Sequence, residues 1–320
     1  RGLGDVYKRQ VSDIDIDVIN TAHIWDKEKR DFSLAVVVKT WGSSPRQVGS
    51  MMLIRDDGHI VGSVSGGCVE GSVIFSAKKI LAESSAEILD FGVADQDAWS
   101  VGLSCGGKIS VFVCPRKKIQ PSLFEKLNSA NVNRENFQIQ CDFRRGEIYE
   151  NKSLSSNDDC LPLKLIPKPR LFIVGAVHIT QYLISMAKEA GFEAVLIDPR
   201  SHFATSERFP NIEIMNDWPD DALKKFRLNE NDCLVTLTHD PKIDDPALLI
   251  ALNSPLFSIS CLGSKKTHAS RKARLQKQGI SEEQLSRING PAGLDINAKN
   301  PAEIAVSILA ELIKDWRGET

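Results

Sequence analysis

The chain has 320 residues, of which 42% are hydrophobic and 26% charged, values typical of a globular protein long enough for two domains. Its net charge of −2 gives no electrostatic reason to expect nucleic acid or an anionic membrane as a partner, and no apolar run reaches the length of a membrane span. Seven cysteines without a CxxC pair argue against a disulfide scaffold or a zinc ribbon and favour reduced thiols. The lack of an apolar N-terminal stretch predicts a cytoplasmic protein.

The sequence divides into four segments of different character. Residues 1–10, RGLGDVYKRQ, show no apolar periodicity, and we interpret them as a non-native tail. Residues 11–118 are predicted to form an N-terminal α/β domain. Residues 119–168 are rich in Asn, Lys, Ser and Asp and are predicted to be a connecting segment, although a short helix and a hairpin fit parts of it. Residues 169–320 are predicted to form a second domain.

In the first domain, apolar periodicity marks elements that surround a glycine-rich loop. Asp56-Asp57-Gly58 suits a type I′ hairpin turn, and a helical stripe begins directly after Cys68. The predicted elements are a helix at 13–29, a strand at 32–42, a hairpin of strands at 51–55 and 59–64, the helix after Cys68, and strands at 87–91 and 108–114.

Two cysteines of this domain lie among glycines. Cys68 belongs to GSVSGGCVEG and Cys105 to GLSCGG. Glycine leaves the sulfur little cover and lets backbone N–H groups turn toward a ligand, and the helix start at Cys68 favours a thiolate. Free cysteines are usually buried, but two such contexts favour either a pair of soft metal ligands or one ligand and one sulfur carrier. Gly66, Gly67, Glu70 and Gly107 surround them.

The loop after the strand at 32–42 carries a second set of polar groups. Ser43, Ser44 and Arg46 offer hydroxyls and a guanidinium suited to phosphate. An ordinary turn at Pro45 is the alternative interpretation.

Strands and helices alternate in the second half, which predicts a doubly wound parallel sheet of the Rossmann type. Strands are expected at 170–174, 193–199, 211–215, 232–239 and 257–263. Helices are expected after 178, at 219–226, at 246–252, at 265–278, after Ser281 and at 301–316.

The first strand–helix turn of this half, GAVH, has an incomplete dinucleotide fingerprint. Gly175 is in place, but Val177 stands where a second glycine would admit the phosphates. Asp198 ends the next strand, where a ribose-binding acid lies in this fold. An anion is predicted to bind at His178, at the start of the helix, and at Arg200. A helix-capping histidine, a surface ion pair and a Rossmann fold kept only as a scaffold are the alternatives, so the signal for NAD(P) is weak.

Further polar residues are predicted to line the carboxyl edge of this sheet, where ligands bind in open α/β folds. These residues form one rim only if every strand of the sheet is parallel. The other members of the rim are His202, Glu207, Arg208, Thr238, His239, Asp240, Gly263, Ser264, Lys265 and Lys266.

Taken together, these segments resemble the XdhC/CoxI family of accessory proteins for xanthine dehydrogenase and carbon monoxide dehydrogenase. The resemblance covers residues 17–315 and rests on ordered blocks of sequence. The blocks are GSSPRQVG, GSVSGGCVEG, DFGVADQDAWSVGLSCGG, the GAVH turn, IDPRSHFATSERFP, LTHDPKID, LGSKKTHASR and INGPAGLDINAKNPAEIAVSI.

The resemblance implies a chaperone that binds the molybdenum cofactor transiently, protects it during sulfuration and inserts it into an apo molybdenum hydroxylase. It implies that Cys68 and Cys105 contact molybdenum, with Gly66, Gly67, Glu70 and Gly107 around them. Gly175 and His178 match a Gly-Ala-Gly-His turn, from which Val177 departs.

A cysteine desulfurase partner and a homodimer are further expectations, and catalysis is not expected. The alternatives are an NAD(P)-dependent oxidoreductase that uses the second domain and a bare interaction scaffold. Neither the client enzyme nor a meeting of Cys68 with Cys105 follows from the sequence.

Overall fold

The structure is a computed structural model, and it describes residues 11–13, 16–42, 46–92, 107–151 and 159–318. The chain forms two compact units, one ending at Pro167 and the other spanning Lys168–Glu319. No helix among the described residues is both long and apolar enough to cross a membrane.

The first unit combines three helices with two sheets in its described part. Its elements are β1 (Val11–Asp13), α1 (Ile16–Lys27), β2 (Phe32–Trp41), β3 (Met51–Arg55), β4 (Ile60–Gly62), α2 (Glu70–Glu83), β5 (Glu87–Phe91), β6 (Lys108–Pro115), α3 (Leu123–Val132), β7 (Phe137–Asp142), β8 (Glu147–Glu150) and β9 (Cys160–Ile166).

The larger sheet of this unit is antiparallel, in the order β4-β3-β2-β6-β5. Alternate residues of its central strand enter two different cores: Leu34 and Val36 pack in the core with α1 and α3, whereas Ala35 and Val37 pack against α2. Both faces of the sheet are therefore covered. This explains why β2 is an unbroken apolar run rather than an alternating one.

Residues 119–168, predicted to be a connecting segment, contribute α3 and the strands β7, β8 and β9 of the sheet β1-β9-β7-β8 to the first unit. The expected helix and hairpin are present as α3 and as β7 with β8. Alternating apolar side chains, such as Ile139 and Cys141 in β7, join the core that also holds α1 and β2. The polar residues that alternate with them, Gln140 and Asp142, are also buried, so the polar composition of this segment does not mark it as an exposed linker.

The second unit alternates strands and helices along its whole length. Its elements are β10 (Arg170–Val174), α4 (His178–Glu189), β11 (Glu193–Ile197), β12 (Glu213–Met215), α5 (Pro219–Lys224), β13 (Asp232–Thr236), α6 (Pro241–Leu252), β14 (Ser258–Cys261), α7 (Lys265–Lys277), α8 (Glu282–Ser286), β15 (Ile288–Asn289) and α9 (Pro301–Gly318).

Its six strands form a parallel sheet in the order β12-β11-β10-β13-β14-β15, which is the Rossmann order. Phe172 and Val174 of β10 face the core with α5 to α8, whereas Leu171 and Ile173 face α4 and α9. The predicted doubly wound α/β fold is confirmed. The order reverses between β10 and β13, so their carboxyl ends flank the crevice where such folds bind ligands.

One helix of this unit begins earlier than the sequence predicts. α6 starts at Pro241 instead of 246, and Asp240 caps it by accepting a hydrogen bond from the backbone N–H of Lys242 at 2.9 Å. Pro246 does not start the helix but lies in its second turn, where it removes the N–H that would bond to the carbonyl of Lys242. The capping box predicted for Ser281 and Gln284 is present in α8.

Candidate functional site

Cys68 lies in an exposed loop between β4 and α2. The backbone of this loop turns at Gly66 and Gly67, whose φ values are +76° and +115°. A side chain at either position would be strained, because L-residues rarely adopt such angles. The glycines therefore permit the bend that leaves the Cys68 thiol at the surface just before α2.

Glu70, the first residue of α2, holds this loop in place. Its carboxylate accepts hydrogen bonds from four backbone N–H groups and two hydroxyls of residues 63–67. The N–H donors lie at 2.8 Å for Ser65, 3.0 Å for Gly66 and 2.9 Å for Gly67. Burial would raise the pKa of Glu70, but the hydrogen bonds from Ser65 and Ser63 outweigh it and lower the pKa to about 2.

These contacts change the interpretation of the glycine-rich loop. Its N–H groups were expected to turn toward a ligand, but those of residues 64–67 point at the side chain of Glu70. The carboxylate of Glu70, in the first turn of α2, is the anion on which these backbone N–H groups converge. Glu70 therefore fixes the loop that presents Cys68.

The other predicted residues of this domain are only partly described. Ser43, Ser44 and Cys105 lie outside the described residues. Arg46 is half-buried, and Gly107 is buried next to Gly42, whose added Cβ would lie 3.5 Å from the Gly107 Cα.

The segments that carry Ser43, Cys68 and Cys105 are all connected to the same end of the five-stranded sheet. β2, β4 and β5 all run antiparallel to their neighbours β3 and β6, so the three strands end at the same side. The Cys68 loop follows β4, the segment with Ser43 follows β2, and the segment with Cys105 joins β5 to β6. Trp41 pairs with Lys108 at this end.

In the second unit, the GAVH turn packs tightly on the neighbouring strand end. Gly175 has a φ of +116°, and a Cβ there would lie 2.7 Å from the Thr238 Cγ2. His178 is exposed at the start of α4, and no side chain caps this helix. Gly175 thus allows the close approach of the turns after β10 and β13. The N–H of Thr180 donates to the carbonyl of Val177 at 3.2 Å, whereas the N–H groups of His178 and Ile179, at the start of the helix, suit an anion.

Asp198 is fully buried and bound to protein groups on both oxygens. Arg200 donates from Nε to Oδ1 at 2.9 Å and from Nη2 to Oδ2 at 2.7 Å, and the N–H of Ala176 donates to Oδ2 at 2.7 Å. Burial would raise the pKa of Asp198, but these hydrogen bonds hold it below its ordinary value. This carboxylate therefore braces the GAVH turn, and a ribose would have to compete with Arg200 for it.

The parallel sheet brings the predicted rim residues to one edge, as expected. Thr238 donates from its hydroxyl to Asp244 Oδ1 at 2.6 Å, and His239 has a φ of +61°, unusual for a residue with a side chain. Arg200 interacts electrostatically with Asp240 and Asp244. Sequence reasoning missed Asp244, which follows the predicted strand end by several residues and is buried in α6.

No group of three His, Cys, Asp or Glu side chains in the described ranges is arranged to hold a metal ion. The exposed Cys68 thiol suits a soft metal such as molybdenum as one ligand of a shared set. The chemistry of this residue thus fits a metal cofactor that brings most of its own ligands.

Two family models match the chain: the XdhC and CoxI family over residues 25–92, and the XdhC Rossmann domain over residues 171–312. The first match lies in the first unit, and the second match covers most of the second unit. The chain belongs to the XdhC/CoxI family.

Relatives of known name match nearly the full chain. A probable xanthine dehydrogenase subunit of Bacillus subtilis (strain 168) is 26% identical, over 90% of this chain and 94% of that protein. The molybdenum cofactor insertion chaperone PaoD of Escherichia coli (strain K12) is 26% identical, over 87% and 81%. A crystal structure described as a xanthine dehydrogenase from Bacillus halodurans has a TM-score of 0.73 and 26% identity, covering 95% of this chain and 97% of that one.

Proposed function

We propose that this protein is an accessory chaperone for a molybdenum hydroxylase of the xanthine dehydrogenase or carbon monoxide dehydrogenase type. It binds the molybdenum cofactor transiently, supports its sulfuration and inserts it into the apo-enzyme. Membership of the XdhC/CoxI family and the names of the two relatives support an accessory role of this kind.

The observation that carries the proposal is the exposed thiol of Cys68, which lies in a loop held by hydrogen bonds to Glu70. This loop follows β4 at the same end of the sheet from which the segment with Cys105 leaves β5. The two thiols would contact molybdenum, and the segment with Ser43, Ser44 and Arg46 attaches at the same end. A carrier must release its cargo, and two thiols in loops suit release better than a closed cage of ligands.

The second unit offers an anion site of its own. The uncapped first turn of α4, with Gly175 and His178, offers N–H groups and a positive dipole end to an anion. Asp198 and Arg200 would act by fixing this turn, because they are bound to each other.

The partners that this role requires are the apo-hydroxylase and a cysteine desulfurase that delivers the sulfur atom. The chain itself would act as a homodimer that holds the cofactor during this exchange.

Changing both Cys68 and Cys105 to alanine tests the proposal. The protein is purified from cells that make the cofactor, and its molybdenum and pterin contents and its activation of the apo-enzyme are measured. We expect at least a tenfold loss of both, because the metal contact is gone while the fold is kept. Cys160→Ala, which changes a half-buried thiol in β9, is the matched control. Wild-type loading and transfer by the double variant would refute the proposal.

An NAD(P)-dependent oxidoreductase is the competing function, and the Rossmann strand order favours it. Val177 in the turn and the occupied carboxylate of Asp198 count against it. Titration of the protein with NADH, followed by fluorescence, separates the two. We expect no saturable binding in protein that carries pterin, whereas tight binding with substrate turnover would establish the oxidoreductase.

A further inference from the structure

Arg271 is the largest fully buried side chain described, with a relative exposure of 2%. It lies in α7, a strongly polar helix in which only Arg271 and Leu275 are buried. Arginine is almost never buried unless its guanidinium is paired, because the charge loses its hydration. Its surroundings should therefore satisfy it fully.

The surroundings of Arg271 satisfy only part of its guanidinium. Nη2 donates to the backbone oxygen of Leu262 at 2.9 Å, and the same atom lies 3.9 Å from Asp244 Oδ2. Among the described residues, neither Nε nor Nη1 of Arg271 has a hydrogen-bond partner. By contrast, Arg274 on the same helix makes hydrogen bonds of 2.7 and 2.9 Å to Asp245.

The nearest carboxylate, Asp244, is a weak counter-charge for Arg271. It already accepts the hydroxyl hydrogen of Thr238 at 2.6 Å. Burial is the largest influence on Asp244 and raises its pKa, against the hydrogen bond from Thr238 and the charges of Arg271 and His239. The site around Arg271 is therefore short of negative charge and of acceptors.

The guanidinium of Arg271 lies at the carboxyl edge of the parallel sheet, where open α/β folds bind ligands. Its contacts place the guanidinium between the turn after β14, through Leu262, and the turn after β13, through Asp244 and Thr238. α6 and α7 both begin at this edge, and their dipoles add positive potential. His268, one turn before Arg271, does not extend this subsite, because its Nδ1 lies against Gly290, where an added Cβ would be 2.1 Å away.

We propose that the carboxyl edge of β13 and β14 binds an oxyanion, specifically a phosphate group, with the guanidinium of Arg271 as its buried counter-charge. The phosphate takes the Nε and Nη1 donors of Arg271, which have no partner among the described residues. This subsite lies next to the turn at Gly175, which packs on Thr238. Its donors belong to α7 and not to the first turn of α4, so the inference does not depend on the proposed function.

The test is titration of the full-length protein with inorganic phosphate at constant ionic strength, by calorimetry and by phosphorus NMR. We expect saturable binding that Arg271→Gln weakens at least tenfold and Arg271→Lys weakens less, since lysine keeps the charge but not the planar donors. Arg274→Gln, with the same charge change on the same helix, should bind phosphate as the wild type does.

A second variant acts in the opposite direction. Asp244→Asn removes the competing carboxylate, so phosphate should bind several-fold more tightly, which keeps the proposal testable if Arg271→Gln does not fold. A phosphate monoester, glycerol 1-phosphate, distinguishes the two sources of the group. Its binding indicates the terminal phosphate of a larger ligand, and binding of inorganic phosphate alone indicates an enclosed ion. Absence of saturable binding, unchanged affinity of folded Arg271→Gln, or no tightening by Asp244→Asn would overturn the proposal.

Discussion

Replacing Glu70 with alanine is expected to release the Cys68 loop while leaving the thiol itself in place, and under the proposed function it should sharply reduce the molybdenum content. The carboxylate accepts hydrogen bonds from Ser63 through Gly67, and no other side chain is described as accepting from the N–H groups of Val64, Ser65 or Gly67. Hydrogen bonds to a charged acceptor contribute more than neutral ones, so we expect a loss of about 2 kcal/mol in the free energy of unfolding of the first unit.

Hydrogen exchange and metal analysis together check this result. Peptides covering residues 63–69 should exchange much faster in Glu70→Ala, and molybdenum content should fall although thiol titration still counts Cys68. Glu83→Ala is the control, since Glu83 lies at the far end of α2 in an exposed pair with Lys79 at 4.0 Å. Wild-type exchange in this loop would show that Glu70 does not hold it.

The pH dependence of stability gives Glu70 a separate signature. Its pKa is lowered from 4.5 to about 2, so its contribution is fully present above about pH 4.5 and is lost as the pH falls toward 2. Glu70→Gln cannot lose a proton, and its amide also presents donors to the N–H groups of the loop. The variant should therefore be less stable at neutral pH and should show a flatter decline over this window, measured by urea unfolding at a series of pH values.

Much of the fold could be predicted because local signals agreed with the final structure. β-branched runs, Asp57-Gly58 in the hairpin, and strand–helix alternation after residue 169 each specify an element without reference to distant contacts. The start of α6 was missed, because Asp240 acts as a cap only once the strand before it ends at Thr236.

The candidate site was less accessible to sequence reasoning, because its contacts depend on how backbone donors are aimed. Gly66 and Gly67 signal a bend but not which anion fills it, and the sequence shows Glu70 only as a neighbour of the Cys68 thiol. Likewise Arg271 lies in the motif LGSKKTHASR with no pattern that separates it from the exposed lysines. Its burial follows from packing of α7 on α6, which involves residues far apart in sequence.

Asp198→Asn should destabilise the second unit by about 3 kcal/mol, the second large effect that we expect. The side chain is fully buried, so the variant leaves the Arg200 guanidinium and the Ala176 N–H facing an amide that cannot accept from both as a carboxylate does. Hydrogen exchange of peptides covering β10 and β11, with urea unfolding, measures the loss. Asp220→Asn, in an exposed pair with Lys224 at 3.2 Å, should change stability by less than about 0.5 kcal/mol.

The double variant Asp198→Asn, Arg200→Gln identifies the origin of the loss at Asp198. Much of the cost of the single change comes from leaving a cation beside a neutral amide, so the double variant should lose clearly less than the sum of the two single changes. Because the pKa of Asp198 is lowered in the folded protein, its contribution is fully present above the pKa of an unfolded aspartate, about 3.9. The contribution is lost as the pH falls from there through the lower folded pKa, and the variant would not show this loss. A variant with wild-type stability would instead leave Asp198 free to bind a ligand, and would favour the nucleotide function over a bracing role at the GAVH turn.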